Sequence, residues 1–183
     1  NELYAMRDRY GIRPLCVGYK NGKFIVNSES YIFSSEGYIR DIKPGEIIKI
    51  DKNGIHSIYK YLDCKKAICS FELIYLMNEN SKTDNNSVKF LRERLSIELA
   101  KKDIKETKFS NYIVIGIPST GIFYGKTYAR FLNLEYKQYI KKKTSDRTFI
   151  NIDKNNISKH CDNKFSYDEN IKDKNIKIVD DSI

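Results

Sequence analysis

The sequence predicts an antiparallel β region followed by an α/β domain built on a parallel sheet. Three observations predict it. Asn-Gly pairs punctuate the first sixty residues between strand-like runs, which is the signature of tight β-hairpins. Beyond about Tyr61 the pattern becomes helix, strand, loop, helix, strand, the rhythm of an α/β sheet. The last strand-like run, Ile176-Lys177-Ile178-Val179, ends in two adjacent carboxylates, Asp180 and Asp181. Ligands of open α/β sheets bind at the carboxyl ends of strands, so this is where chemistry is expected.

Taken in order, residues 16–19 and 23–27 flank Asn21-Gly22 as a first hairpin, and 46–51 and 55–59 flank Asn53-Gly54 as a second. Pro44-Gly45 marks a tight turn between them. Residues 68–76 are apolar and 78–86 form a polar loop. Val88, Leu91, Leu95 and Leu99 then recur at helical spacing, with Ser87 as the N-cap. Residues 112–117 read as a short buried strand that runs through Pro118-Ser119-Thr120-Gly121 into a helix ending at Leu132. Residues 134–140 read as a strand, 151–175 show little periodicity, and 176–179 form the closing strand. The change of character places a domain boundary within 60–68.

Composition excludes several classes. Hydrophobic content is 40% over 183 residues, and no apolar run approaches membrane-spanning length. Asn1-Glu2-Leu3-Tyr4 lacks the basic stretch and apolar core of a signal peptide, and reads as an interior point of a longer product. Cys16, Cys64, Cys69 and Cys161 form no CxxC pair, which fits a reducing cytosol better than a disulfide scaffold. The net charge of +9 suits a polyanionic ligand or a lysine-rich solvated surface, and the spread of the lysines favours the second for most of them. No nucleic-acid-binding motif or concentrated basic face accompanies the charge.

Four segments carry chemistry. Arg7-Asp8-Arg9-Tyr10-Gly11-Ile12-Arg13-Pro14-Leu15 has a tight path set by Gly and Pro, across which Arg and Asp can pair; alone it also fits any charged turn before a strand. Ile117-Pro118-Ser119-Thr120-Gly121-Ile122 joins a strand to a helix N-terminus, where backbone N–H groups suit pyrophosphate. Lys141-Lys142-Lys143-Thr144-Ser145-Asp146-Arg147-Thr148-Phe149-Ile150 is a cation cluster that fits either a pyrophosphate leaving group, with Arg147 bidentate, or a solvated loop. Val179-Asp180-Asp181-Ser182-Ile183 places an acid pair at a strand end.

In this order the segments resemble the amidophosphoribosyltransferases, from Arg7 to Ile183. The first, with Val26-Asn27-Ser28-Glu29-Ser30 and the run from Ile39 to Glu46, is similar to the glutaminase domain of N-terminal-nucleophile amidotransferases. The last resembles the phosphoribosyl-pyrophosphate (PRPP) motif of type I phosphoribosyltransferases. The third is similar to a closing loop that typically reads Lys-Asn-Arg-Tyr-Val-Gly-Arg-Thr-Phe-Ile. Thr144 here replaces Tyr and Asp146 replaces Gly. An acid beside a polyphosphate works against closure by simple electrostatics.

The resemblance implies the end of a glutaminase domain over residues 1–64, with antiparallel sheets, and the start of a phosphoribosyltransferase domain over 65–183, with a parallel sheet. It implies glutamine-dependent conversion of PRPP to 5-phosphoribosylamine, the first committed step of purine biosynthesis, in the cytoplasm. Thr120, Lys141, Arg147, Asp180, Asp181 and Ser182 would bind PRPP, and Thr120, Asp180 and Asp181 would hold Mg²⁺. Cys69 stands where some members have a [4Fe–4S] ligand. Purine nucleotides as feedback inhibitors and a homo-oligomer follow from the same resemblance. The family's nucleophile is an N-terminal Cys followed by Gly. The cysteines here precede Val17, Lys65, Ser70 and Asp162, so none is assigned that role and the segment by itself is expected to be inactive. A second reading, motivated by Thr144 and Asp146, is a degenerate paralogue that binds nucleotides or regulates.

Overall fold

The computed structural model describes residues 1–33, 37–106, 111–143 and 163–181, and the side chain of Glu106 is outside the description. The chain divides into two compact units, Asn1–Leu91 and Arg92–Ile183.

In the first unit, strands β1 (Leu3–Met6), β2 (Cys16–Lys20), β3 (Lys23–Asn27), β4 (Tyr38–Asp41), β5 (Glu46–Asp51) and β6 (Gly54–Lys60) form two three-stranded antiparallel sheets, ordered β1-β5-β6 and β3-β2-β4. Both expected hairpins are present. Asn21 and Gly22 take positive φ, the backbone that a two-residue turn needs. Val17, Ile42, Ile48 and Ile50 make the core, with Leu15, Phe24, Val26 and Ile55 packed against them.

Strand period puts Glu46 on the same inward face as Ile48 and Ile50, and its carboxylate is 1% exposed. Arg40 answers it with two bonds, Nη1 to Oε2 at 2.7 Å and Nη2 to Oε1 at 3.0 Å, and the Lys43 N–H donates to Oε2 at 2.8 Å. Burial alone would push this carboxyl up; the bonds from Arg40, Lys43 and Ser57 outweigh burial and hold it below its ordinary 4.5. Its contribution to stability is therefore fully present above about pH 4.5 and is lost as pH falls through the lower folded-state value. Arg40→Leu strands the buried charge and should cost about 3 kcal/mol, the low end for a broken buried pair because the guanidinium is one-third exposed. Urea unfolding across pH checks this: the gap between variant and parent should narrow below about pH 4.5.

The segment around Arg7 is organised differently from the pairing expected within it. Arg7 is buried and does not pair with Asp8. It donates to the carbonyls of Arg13, Ile42 and Gly11, and meets Asp84 at 3.4 Å. Asp8 instead accepts from the backbone N–H groups of Tyr10 and Ile12. A desolvated guanidinium needs acceptors on all sides, and carbonyls of a tight turn supply them where one neighbouring carboxylate could not. Asp84 sits in the turn of a small hairpin, β7 (Lys82–Thr83) with β8 (Asn86–Ser87), in what reads from sequence as a plain loop.

Helix α1 (Val88–Glu106) follows, and the Ser87 hydroxyl accepts from the Phe90 N–H as expected of an N-cap. In the second unit, β9 (Tyr112–Gly116), helix α2 (Gly121–Leu132), β10 (Glu135–Tyr136) and β13 (Asn175–Val179) form a parallel sheet ordered β10-β9-β13, with α2 packed on it. Val114, Ile115, Tyr128, Ala129 and Val179 are its buried core. The expected strand over 134–140 is two strands in different sheets: β10 pairs with β9, whereas β11 (Ile140–Lys142) pairs antiparallel with β12 (Phe165–Tyr167). Gln138 explains the break, because its Nε2 bonds the carbonyls of both Gly116 and Ile140 and turns the chain off the sheet.

Candidate functional site

β9 and β13 run parallel in unbroken register from Asn175↔Tyr112 to Val179↔Gly116, so both strands end at one edge. The Ile117 N–H extends the ladder by donating to the Val179 carbonyl at 3.0 Å. The turn 117–120 leaves β9 there, and Asp180-Asp181 leave β13 beside it. Thr120 and Asp180 thus stand at neighbouring strand ends of one parallel sheet.

Two glycines permit the close approach. A Cβ on Gly116 would lie 2.3 Å from the Gly121 carbonyl oxygen and 2.6 Å from the Ile122 Cα. A Cβ on Gly121 would lie 2.8 Å from the Val179 carbonyl oxygen and 2.9 Å from Asp180 Oδ1. The helix N-terminus can press on the acid pair only because side chains are missing at these points. The peptide between Pro118 and Ser119 is cis. Ile122 and Phe123 N–H groups bond back to the carbonyls of Ser119 and Thr120, which narrows the donors that the turn can offer an anion to residues 119–121. The Thr120 side chain makes no capping bond.

The acids are inequivalent. Asp180 is exposed, and its Oδ1 accepts the Asp181 N–H at 2.9 Å. Burial, and then the neighbouring Asp180 carboxylate, pushes the Asp181 carboxyl up to about 6. Two carboxylates so placed repel each other, and a divalent cation relieves that repulsion.

The remaining expected site residues are distributed as follows. Lys141 is exposed on β11, paired with Ser166 of β12, and the Lys143 N–H donates to the Lys164 carbonyl at the next step. Gln138 ties the start of this hairpin to Gly116 at the end of β9. Arg147 and Ser182, with Thr144 and Asp146, lie outside the described residues. Cys69 is half-buried in the first unit and its N–H donates to the Ile12 carbonyl. Among the described residues no three His, Cys, Asp or Glu are grouped to hold a metal ion. The Cys16 thiol, buried and pushed up to about 12 by desolvation, is no nucleophile.

Sequence reasoning missed which face α1 buries: Arg92, Ser96 and Ala100 are buried, and the Ser96 hydroxyl donates to the Tyr124 carbonyl at 2.8 Å. Helical spacing assigns the core face of this helix to Val88, Leu91, Leu95 and Leu99 and gives Arg92 no role. The signal was the stripe Arg92, Ser96, Ala100, spaced by four and buried.

No protein-family profile matches the chain. The amidophosphoribosyltransferase of Mycobacterium tuberculosis H37Rv is 32% identical over all of this chain and 34% of its own length. That of Bacillus subtilis is 31% identical over 81% of this chain and 31% of its own length. Among solved structures, the B. subtilis glutamine PRPP amidotransferase complexed with ADP and GMP superposes with a TM-score of 0.82 at 28% identity, covering all of this chain and 40% of that one. An allosteric regulatory enzyme of purine biosynthesis matches with the same score and identity over 39% of its chain. The chain spans about a third of the length of the curated relatives it matches. By sequence and by fold, the chain is similar to about a third of an amidophosphoribosyltransferase.

Proposed function

We propose that the protein carrying this segment is an amidophosphoribosyltransferase: it takes ammonia from glutamine to C1 of PRPP, giving 5-phosphoribosylamine and pyrophosphate. The observation that supports this most is the meeting of Thr120 with Asp180 and Asp181 at adjacent ends of β9 and β13. At C1 a C–N bond forms and the C–O bond to pyrophosphate breaks, the electron pair leaving with the pyrophosphate oxygen. The chain's part in this is positioning and charge. Asp180 and Asp181 accept from the ribose hydroxyls, and the turn at 119–121 points backbone N–H groups at the phosphates. Lys141 and Arg147 offset charge on the leaving group, and Ser182 belongs to the same PRPP motif as the acids.

The site suits Mg²⁺, which typically binds one or two carboxylates and completes its shell with substrate oxygens and water. Asp180, Asp181 and Thr120 would hold it, and when bound it would neutralise the departing pyrophosphate. Cys69 would join a [4Fe–4S] cluster only together with ligands from elsewhere in the parent protein, since no group of three His, Cys, Asp or Glu accompanies it among the described residues. We place the domain boundary at 64/65. Residues 65–91 then open the second domain while bonding back to the first through Ala67 to Tyr10, Cys69 to Ile12 and Asp84 to Arg7. The ADP and GMP in the B. subtilis complex support purine nucleotides as feedback ligands of the parent protein. Cytoplasmic location and homo-oligomerisation complete the reading; among the described residues no helix is long and apolar enough to cross a membrane.

Ammonia with PRPP and Mg²⁺ is the sharp test, because it bypasses the glutaminase half. The full-length parent should release pyrophosphate. An intact parent that stays inert with ammonia across a wide Mg²⁺ range overturns the assignment. Recovery of activity by Asp146→Gly would then identify a damaged enzyme, and no recovery a binding protein.

A further inference from the structure

At the end of β9 a side chain takes over from the backbone. In a parallel ladder the groups facing one neighbour come at every second residue. The Lys137 N–H meets the Val114 carbonyl at 3.0 Å, so the next step would bring the Tyr139 N–H to the Gly116 carbonyl. The chain turns away first, and Gln138 Nε2 donates to the Gly116 carbonyl at 3.1 Å instead. The same nitrogen donates to the Ile140 carbonyl at 2.6 Å, and the Tyr136 hydroxyl donates to Gln138 Oε1. Both ends of the amide are thus engaged, which fixes its orientation.

The two carbonyls that it joins are well placed for function. Gly116 is buried and leads directly into the turn 117–120. Ile140 is buried and stands next to Lys141, whose side chain is exposed. The Lys143 N–H to the Lys164 carbonyl and the Asp168 N–H to the Tyr139 carbonyl close the β11–β12 hairpin on itself. The bond from Gln138 to Gly116 refers that hairpin to the parallel sheet. We propose that Gln138 is a positioning residue of the PRPP site: its amide pins the root of the Lys141 hairpin to the end of β9, so that the Lys141 ammonium and the turn at 119–121 meet the same pyrophosphate. The ligand in this statement rests on the PRPP reading above; the tether itself does not.

The test uses the full-length parent and the variants Gln138→Met, Gln138→Asn, Lys141→Ala, Tyr136→Phe and the Gln138→Met/Lys141→Ala double. Hydrogen exchange without ligand reads the tether. In Gln138→Met, residues 139–143 and 165–168 should exchange faster while 112–117 stay protected. Unchanged exchange across the hairpin overturns the proposal whatever the ligand. Calorimetry with PRPP and Mg²⁺ reads the positioning. Gln138→Met should bind about 10-fold more weakly, the scale of one lost hydrogen bond to a charged group. Gln138→Asn keeps the polarity but shortens the reach, so it should repeat the effect. If Asn binds as the parent does while Met does not, the loss is packing and the proposal falls. Tyr136→Phe leaves both carbonyl bonds of the amide in place and should leave binding unchanged; a loss equal to that of Gln138→Met would again mean packing. Once Lys141 is Ala, Gln138→Met should add little, and full additivity would show that Gln138 does not act through Lys141. If the parent binds PRPP and Gln138→Met binds equally well, only this proposal falls. If the parent binds no PRPP, the reading of the site falls and the positioning role with it, and the exchange data still decide whether the tether exists.

Discussion

Replacing Asp180 and Asp181 together by Asn should lower ammonia-dependent pyrophosphate release by the parent protein on the order of 1000-fold, while leaving the protein folded. The substitution keeps size and hydrogen-bonding shape and removes only charge. Metal-assisted stabilisation of a departing polyphosphate is worth several kcal/mol, and each 1.36 kcal/mol is a factor of ten in rate. Stability should move the other way. Asp181 is held up to about 6, above its ordinary 3.8, so its ionised form destabilises the folded state at neutral pH. That cost is absent below about 3.8, grows between the two values and is complete above about 6. Asn has no charge to develop, so the variant should melt no lower than the parent at pH 7.5. Kinetics with ammonia and a thermal melt together check both halves. A variant that retained more than a tenth of the activity would remove the cation from the acid pair.

Gly116→Ala should be the most damaging single methyl in the second unit. The added carbon meets the Gly121 carbonyl and the Ile122 Cα at 2.3 and 2.6 Å, and both are backbone atoms that no rotamer change can clear. The helix must lift from β9, and Gly125 on the next turn already faces Gly116 at a Cβ distance of 3.1 Å. Overpacking of this kind costs about 1–3 kcal/mol, with more where the backbone itself must move. The turn carrying Thr120 moves with the helix, so PRPP affinity should fall along with the melting temperature. Circular dichroism melts and calorimetric PRPP titration check the two effects. A variant with unchanged melting and binding would show that β9 and α2 tolerate separation.

The strands were legible wherever turn chemistry announced them. Asn21-Gly22 makes the turn of the first hairpin, while in the second Lys52 and Asn53 make the turn and Gly54 already pairs with Asp51 as the first residue of β6. Alternation could not show that an inward position would hold Glu46, because the partner that makes it tolerable, Arg40, belongs to another strand. α1 was legible as a helix and not as a surface. Leu95 and Leu99 stay more than 40% exposed while Arg92, Ser96 and Ala100 are buried. Small side chains let α2 approach to hydrogen-bonding distance of Ser96, and a leucine stripe would have held it away. Residues 134–140 read as one strand because the bend is made by a side chain, Gln138, bonding two distant carbonyls. At the site, the strand ends that bring Thr120 and Asp180 side by side were legible, whereas the burial of Arg92, Ser96 and Ala100 depends on helix packing that no local pattern encodes.

Nine glycines occur in the 183 residues, and three of them, Gly116, Gly121 and Gly125, lie within ten positions of one another. At each, a Cβ would meet backbone. The chain shares about a third of its residues with its curated relatives. This junction has little latitude. Random mutagenesis scored for function should therefore return a map with a hole at these three codons, surrounded by lysine-bearing positions that accept nearly anything. The hole marks where the close approach of helix and strand leaves no room for a side chain, and where an engineer reshaping the protein should leave the sequence untouched.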